Sequence, residues 1–337
     1  MMRTLTLVQL AAAAAVTHGW KGVRPMHESL QTNLSLLHSA ADFPPYTADP
    51  GLCGSECKQR LGQRTSPKLV NRYLRLAEMS LTGSLSDRAG SCETGYKGCS
   101  LARLRPYPAP ERWIGRDWPP FGETMAGHLR LRNVRAAIES VISQGVAGDF
   151  AELGVWRGGL CIFAKLVMDA YGDESRRVHV FDAFGRIAAY GTTERQEYLG
   201  TNQKRVMQSF MSYDAWDTDR VLLHSGLFNE TTRRFRMATT PRQTQLAVLR
   251  IDANFYESYE DAFYNLYDLV PVGGIVIIDD YSDKSVRAFV SDFMSDYGAA
   301  QIHEVDWTGV WWRKGRAATI DFSRKRYKEA DSPVFPI

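Results

Sequence analysis

The chain contains no run of about eighteen consecutive apolar residues, so it offers no ordinary membrane-spanning helix. It also lacks a strong charge of either sign: 41 basic residues against 38 acidic ones leave a formal net charge of +3. Lys and Arg are interleaved with acids rather than clustered, which argues against a nucleic-acid partner. No Gly-x-x-x-x-Gly-Lys-Ser/Thr loop and no Gly-x-Gly-x-x-Gly turn occurs, so nucleoside triphosphates and nicotinamide dinucleotides lose their usual signatures. A Gly-x-Ser-x-Gly elbow is missing too, which leaves a serine hydrolase without support. No internal repeat is visible. What is present is ample core material: 44% of 337 residues are hydrophobic, enough for one large or two modest domains.

Cysteine is scarce and unevenly placed. Of the five cysteines, Cys53, Cys57, Cys92 and Cys99 fall in loop-rich sequence, and Cys161 stands alone inside an apolar helix. Four cysteines in irregular sequence suggest two disulfides, with three pairings open. Zinc is the competing reading, though Cys-x3-Cys and Cys-x6-Cys are not the usual ribbon spacings. Cys161 reads as a small buried hydrophobe. The amino terminus agrees with an oxidising destination. Met1-Met2-Arg3 precedes an apolar run from Leu5 to Val16 and then Thr17-His18-Gly19, the three parts of a secretory signal. No acid precedes Glu28, so a plastid or mitochondrial presequence stays open, as does a cytoplasmic chain with neither. Asn33-Leu-Ser and Asn229-Glu-Thr are glycosylation triplets of a kind that also arises by chance.

Patterning divides the chain into a signal-like segment (1–19), an irregular linker or cap (20–67), a helical and lid region (68–146), an α/β domain (147–316) and a tail (317–337). Lys68 to Thr82 is predicted helical, with Leu69, Tyr73, Leu76, Met79 and Leu81 near one face. Residues 83–120 look irregular. Arg130 to Gln144 is a second helix, carried by Leu131, Val134, Ile138, Val141 and Ile142. From there strands and helices alternate: strands Asp149–Leu153, Arg177–Asp182, Val221–His224, Leu246–Asp252 and Ile275–Asp279, helices Gly158–Tyr171, Glu194–Met211, Tyr256–Val270 and Val286–Tyr297. Two closing strands follow at 301–306 and 309–313. Such alternation implies an α/β fold with a doubly wound, mostly parallel sheet. In that architecture ligands bind beyond the carboxyl ends of the strands, at the switch in strand order. Glu152, Asp182, Ser225, Asp252 and Asp279 are the residues so placed.

The first strand runs into Glu152-Leu-Gly-Val-Trp-Arg-Gly-Gly, which opens a helix. Gly154, Gly158 and Gly159 let backbone approach a ligand, Trp156 lies among them, and the helix start offers free N–H groups. An acid two residues before the first glycine suits a cationic ligand better than a pyrophosphate; S-adenosylmethionine, with its sulfonium and ammonium, is such a ligand. Asp182, followed by Phe184, can accept from both ribose hydroxyls. Ser225, Gly226 and Phe228 are placed to wall the adenine. The bland alternative is that Asp182 caps a turn and that the glycines serve only the chain path. Asp252 ends one strand, and Asp279 and Asp280 end its expected neighbour. Three converging carboxylates would repel without a cation among them. All-oxygen donors favour Mg²⁺, with Mn²⁺ or Ca²⁺ as alternatives. Against this, consecutive strand residues point to opposite faces, which would leave only one of the pair for Asp252. A cation beside a methyl donor would bind neighbouring acceptor oxygens and acidify the one to be methylated.

These blocks resemble, in order, the macrocin O-methyltransferase (TylF-type) family. The resemblance covers roughly Lys68 to Lys314. It includes Tyr73-Leu-Arg-Leu, Leu81-Thr-Gly, Asp117-Trp-Pro, Thr124-Met-Ala-Gly, Arg130-Leu-Arg-Asn-Val, the Gly148 to Gly159 block, Leu249 to Ser258, Asp279-Asp280-Tyr281 and Gly309-Val-Trp-Trp-Arg. It implies a seven-stranded, Rossmann-like class I methyltransferase sheet, S-adenosylmethionine and Mg²⁺ as cofactors, a sugar hydroxyl on a small molecule or glycan as acceptor, and a homo-oligomer. It implies Asp252, Asp279 and Asp280 as metal ligands, with Asp252 also beside the cofactor, and Thr124 and Met125 as part of a lid. One departure matters. The family reads Asp-Gly-Asp where this chain reads Asp252-Ala253-Asn254, and the second acid is a candidate general base. Asn254 cannot take a proton at neutral pH, though its amide could hold substrate or metal. Three readings follow: the metal alone suffices, His224 or His303 serves as base, or the protein binds cofactor without turnover, as a scaffold. A catechol or phenol acceptor is a further alternative, for which no apolar slot is legible.

Overall fold

The computed structural model describes residues 52–54, 56–57, 66–86, 110–185, 193–239 and 244–326. The signal-like segment, most of the 20–67 cap, Cys92, Cys99 and the Asn33 triplet lie outside them. Cys53 and Cys57 are joined by a disulfide, with Cα atoms 5.3 Å apart. Among the described residues no helix is long and apolar enough to cross a membrane.

Helix α1 (Pro67–Leu81), a short α2 (Pro110–Trp113) and α3 (Gly127–Ser143) precede the sheet. Then come β1 (Asp149–Leu153), α4 (Gly159–Ala170), β2 (Val178–Asp182), α5 (Thr193–Leu199), α6 (Gln203–Ser212), β3 (Val221–Ser225) and α7 (Phe228–Ala238). The chain continues through β4 (Leu246–Ile251), α8 (Tyr256–Leu266), β5 (Ile275–Ile278), α9 (Lys284–Tyr297), β6 (His303–Glu304) and β7 (Val310–Arg313). The seven strands are ordered β3-β2-β1-β4-β5-β7-β6. The first five are parallel, and β7 runs antiparallel to both β5 and β6. The expected doubly wound, mostly parallel seven-stranded sheet is therefore the observed one. Its switch point lies between β1 and β4, so the carboxyl ends of those strands define the cleft.

Strands β1, β2, β4 and β5 are buried almost throughout because both faces of the sheet are covered there. Phe150, Val180, Val248 and Ile277 face a core built with α1, α3, α4 and α6. Ala151, Phe181, Leu249 and Ile278 face a second core with α7, α8 and α9. Trp311 and Trp312 of β7 enter one core each, as alternation along a strand requires.

Three expectations need correction. On α1 the buried stripe is Val70, Leu74, Ala77, Glu78 and Leu81, whereas Leu69 and Leu76 are 63% and 58% exposed. The apolar pattern is wide enough to admit two stripes one residue apart, and packing selects the one that fits α3 and α4. The predicted helix from Glu194 to Met211 is two helices: Gly200 ends α5, and the Asn202 side chain accepts from Arg205 N to start α6. Helix α7 was not expected at all, because Asn-Glu-Thr-Thr-Arg-Arg shows little apolar period. Its helicity comes from Thr231, Thr232 and Phe235 packing beside α8.

Candidate functional site

The loop from β1 to α4 crosses the switch point in an unusual conformation. Gly154 has φ 82°, and a methyl group there would overlap the Asp252 carbonyl. The glycine therefore lets β1 and β4 end side by side, a reason independent of any ligand. Trp156 has φ 50°, rare for a bulky side chain and kept only where the surrounding structure over-determines the backbone. Its indole N–H donates to Tyr198 O at 2.9 Å, and the Arg157 guanidinium lies 4.1 Å over its ring. Gly158 (φ 85°) precedes α4, and Gly159 N donates to Glu123 O at 3.0 Å.

Glu123 belongs to the segment carrying Thr124 and Met125. That segment is tied down on several sides. Glu123 N and Thr124 N both donate to Leu81 O. The Glu123 carboxylate accepts from Arg205 at 2.8 Å and from Ser209 at 2.9 Å. Arg157 donates to Gly122 O at 2.8 Å, and Trp118 stacks on Tyr198 with centroids 5.2 Å apart. The strap therefore lies directly over the glycine loop. Thr124 is buried, its hydroxyl accepting from Ala126 N, and Met125 is half-buried.

Asp182 ends β2 beside the loop. Its two oxygens accept from Val155 N at 2.9 Å and Phe184 N at 2.8 Å. Burial pushes its pKa up against these bonds. It thus locks the glycine loop to β2, and the backbone N–H groups of Trp156 and Ala183 also favour its ionised form. Phe184 follows with φ 50°, a second bulky residue in the left-handed region. Ser225 is exposed at the end of β3, level with Asp182 in the register. Gly226 N donates to Asp182 O, while Phe228 packs against the core on the α7 side of the sheet.

Glu152 departs from expectation. It is only 1% exposed and faces α4 rather than the cleft. One oxygen accepts from Arg250 and the other from the Cys161 thiol at 2.8 Å. Burial and this carboxylate push the Cys161 thiol well above its usual pKa. Glu152 is thus withdrawn from direct contact with a cofactor ammonium, and Cys161 is a hydrogen-bond donor as well as a buried apolar group.

The three aspartates converge. Asp252 N donates to Leu153 O and Asp279 N to Ile251 O, which sets both acids at the ends of neighbouring strands. Asp252 is in side-chain contact with Asp279 and with Asp280. The chain turns after Asp279, so the adjacent acids are not forced to opposite faces. Burial and then the neighbouring Asp279 and Asp280 push Asp252 well above the usual carboxylate range. Burial and Asp279 push Asp280 up to about 6. Asp279 is held low by Arg130 and Arg250, which outweigh its burial.

Arg130 and Arg250 are the residues the sequence reading missed. Arg250 contacts Glu152, Asp252 and Asp279; Arg130 contacts Asp279 and, at 2.7 Å, Asp306. For Arg250 the signal was present: a buried arginine in an otherwise apolar strand requires acids around it. Among the described residues no three acid, histidine or cysteine side chains form a ready-made cation cage, and the guanidiniums lie on the oxygens of Asp279. A cation among these acids would relieve the repulsion that raises Asp252 and Asp280. Five carboxylates (Glu152, Asp252, Asp279, Asp280, Asp306) face two buried guanidiniums in this cluster. Hard oxygen donors with unbalanced negative charge fit Mg²⁺.

Neither candidate base reaches this cluster. His224 stacks on Phe181, with centroids 4.1 Å apart, and meets His179 at 3.1 Å. It lies on β3, three strands from β4, a separation of about 14 Å at the usual spacing. Burial, then His179 and Arg234, lower its pKa to about 3. His303 stacks on Trp311 at 4.4 Å on the opposite edge strand. Both imidazoles are packing groups, and the aromatic residues opposite them were not readable as partners before the register was known. Asn254 does belong to the site. It is exposed at φ 61°, a conformation asparagine tolerates, and its N–H donates to Asp280 at 3.2 Å.

Comparison with known proteins agrees with this geometry. The model of the family described as macrocin-O-methyltransferase (TylF) matches residues 93–314. The chain is 39% identical over 222 residues to the 8-demethyl-8-(2,3-dimethoxy-alpha-L-rhamnosyl)-tetracenomycin-C 4'-O-methyltransferase of Streptomyces olivaceus, covering 62% of this chain and 82% of that one. It is 35% identical to the mycinamicin III 3''-O-methyltransferase of Micromonospora griseorubida, covering 60% and 83%. Among solved structures, the O-methyltransferase NovP superposes with a TM-score of 0.63 at 32% identity, covering 73% of this chain and 100% of that chain.

Proposed function

The chain belongs to the macrocin O-methyltransferase family, and from that premise we propose that it transfers a methyl group from S-adenosylmethionine to a sugar hydroxyl with the help of Mg²⁺. The observation that carries the reading is the meeting of two structures at one switch point. The glycine loop after β1 and the Asp252–Asp279–Asp280 cluster after β4 and β5 lie side by side. Bound there, S-adenosylmethionine supplies the methyl group and Mg²⁺ the positive charge that favours ionisation of the acceptor hydroxyl.

The chain's own residues bind, orient and exclude water. Asp182 presents its carboxylate to the ribose, and Trp156, Phe184 and the Thr124–Met125 strap enclose the donor. Asp252, Asp279 and Asp280 would hold the cation at the seam, next to the glycine loop that would hold the donor. Positioning and charge stabilisation then supply most of the acceleration. With Asn254 in place of an acid and both histidines remote, the hydroxyl proton leaves to solvent at the exposed mouth beside Asn254. That residue's amide is free to orient the acceptor. Two relatives whose names specify a sugar position support a sugar acceptor.

We place this activity in the lumen of the secretory pathway. The support is the signal-like start and a disulfide of the kind that persists in oxidising compartments. Recovery of the protein from cytosol with Met1 or Met2 intact would overturn the location.

The functional test is transfer of labelled methyl from S-adenosylmethionine to a pool of reducing sugars and glycans, in Mg²⁺ and in EDTA. Label should appear only with Mg²⁺. Asp252→Asn should abolish that label while S-adenosylhomocysteine binding, followed by calorimetry, persists. Undiminished turnover in Asp252→Asn would remove the metal from the mechanism.

A further inference from the structure

Arg250 lies within a strand whose other members, Leu246 to Leu249 and Ile251, are buried and apolar. The parallel register of β1 and β4 pairs Glu152 directly with Arg250, so carboxylate and guanidinium leave neighbouring strands at one level. Both are 1% exposed. One end of the guanidinium, Nη1, donates to Glu152 Oε1. The other, Nη2, donates to Asp279 Oδ2 and, at 3.3 Å, to Asp252 Oδ2. The Cys161 thiol fixes the second oxygen of Glu152 at 2.8 Å. Arg250 is therefore held between one acid outside the cation site and two acids inside it.

We propose that Arg250 is the resident counter-ion of the metal site, and that Glu152 restrains it. Nη2 competes with a divalent cation for Asp252 and Asp279, and Glu152 sets the strength of that competition by claiming the other end. This inference rests on the metal reading above. Neutralising Glu152 leaves the full charge of Arg250 to the ligand aspartates and weakens the cation. Neutralising Arg250 removes one of the two guanidiniums on Asp279 and, among the described residues, the only one on Asp252, and tightens the cation, while the cation-free protein loses charge that keeps Asp252 and Asp279 together. The two substitutions thus act in opposite directions. An arginine that merely orients the carboxylates would weaken cation binding when lost, as outer-shell partners usually do.

The test uses the full chain. Mn²⁺ binding is followed by electron paramagnetic resonance with Mg²⁺ competition, and thermal unfolding is recorded in EDTA and in Mg²⁺. In Glu152→Gln the Mn²⁺ dissociation constant should rise about tenfold or more. In Arg250→Met it should fall, and the gap between the EDTA and Mg²⁺ unfolding midpoints should widen. Weaker binding in Arg250→Met would overturn the proposal in favour of an orienting role. Should that variant fail to fold, Glu152→Gln decides alone, because an unchanged or tighter Mn²⁺ affinity there is incompatible with a restraint on Arg250. A wild-type chain with neither Mn²⁺ binding nor a Mg²⁺-dependent midpoint would instead overturn the metal reading itself.

Discussion

At the scale of single residues, Asp182 and Asn254 carry the sharpest consequences. Asp182 already accepts two backbone N–H groups, so its carboxylate both shapes the loop and stands ready for a ligand. Asp182→Asn should keep one acceptor but remove the charge-assisted bonds. S-adenosylhomocysteine affinity should fall by about 1–3 kcal/mol, read by calorimetry. Unaltered affinity would show that Asp182 serves the loop alone. Asn254 occupies the left-handed region, where aspartate is equally tolerated. Asn254→Asp therefore places a base at the mouth of the site without backbone strain. The turnover number at neutral pH should rise by up to about 10²-fold, the lower end of what a positioned base contributes. No rise would mean that proton removal does not limit turnover.

At the scale of elements, α1 shows how packing decides what pattern leaves open. Leu74 is fully buried, while Leu76, two positions away, is 58% exposed. Leu74→Ala should cost about 2–5 kcal/mol of unfolding free energy. Leu76→Ala should stay within about 0.5 kcal/mol. A larger loss for Leu76→Ala than for Leu74→Ala in urea titrations would mean that α1 docks through the other stripe. The same contrast explains which parts of the molecule were legible in advance. Strands such as Ile275–Ile278, apolar on both faces and flanked by turns, show their type and position directly. Acids at strand ends mark the cleft because topology fixes where strand ends go. Helix α7 was not legible, since its stability is tertiary, and the roles of His224 and His303 depend on strand neighbours that no local pattern specifies. Arg250 falls between these cases: its burial in an apolar strand was inferable, but its partners required the register of β1, β4 and β5, whereas Arg130 on α3 meets Asp279 and Asp306 only through tertiary packing.

At the scale of the whole molecule, the face of the sheet beneath α7 should respond to acid. His179 Nε2 donates to Asp149 at 3.0 Å, which leaves Nδ1 to accept from His224 Nε2 at 3.1 Å. Arg234 adds a positive charge nearby, and Phe181 and Phe235 cover the His224 ring. Burial, followed by His179 and Arg234, lowers the His224 pKa from 6.5 to about 3 in the folded protein. The sign follows from proton counting. Between these two values the unfolded chain binds a proton that the folded chain refuses, so stability falls as pH drops through that window and is unaffected above it. His128, lowered by its own burial although Glu78 opposes the shift, acts in the same direction. His224→Gln should therefore lose some stability at pH 8, where the ring's stacking is removed. Its further loss between about pH 6 and about pH 4.5 should be smaller than in the wild type. Urea midpoints at the three pH values measure both terms. Parallel wild-type and variant curves would assign the acid sensitivity to His128 and the carboxylates instead, and would mean that the edge of the sheet carries no part of it.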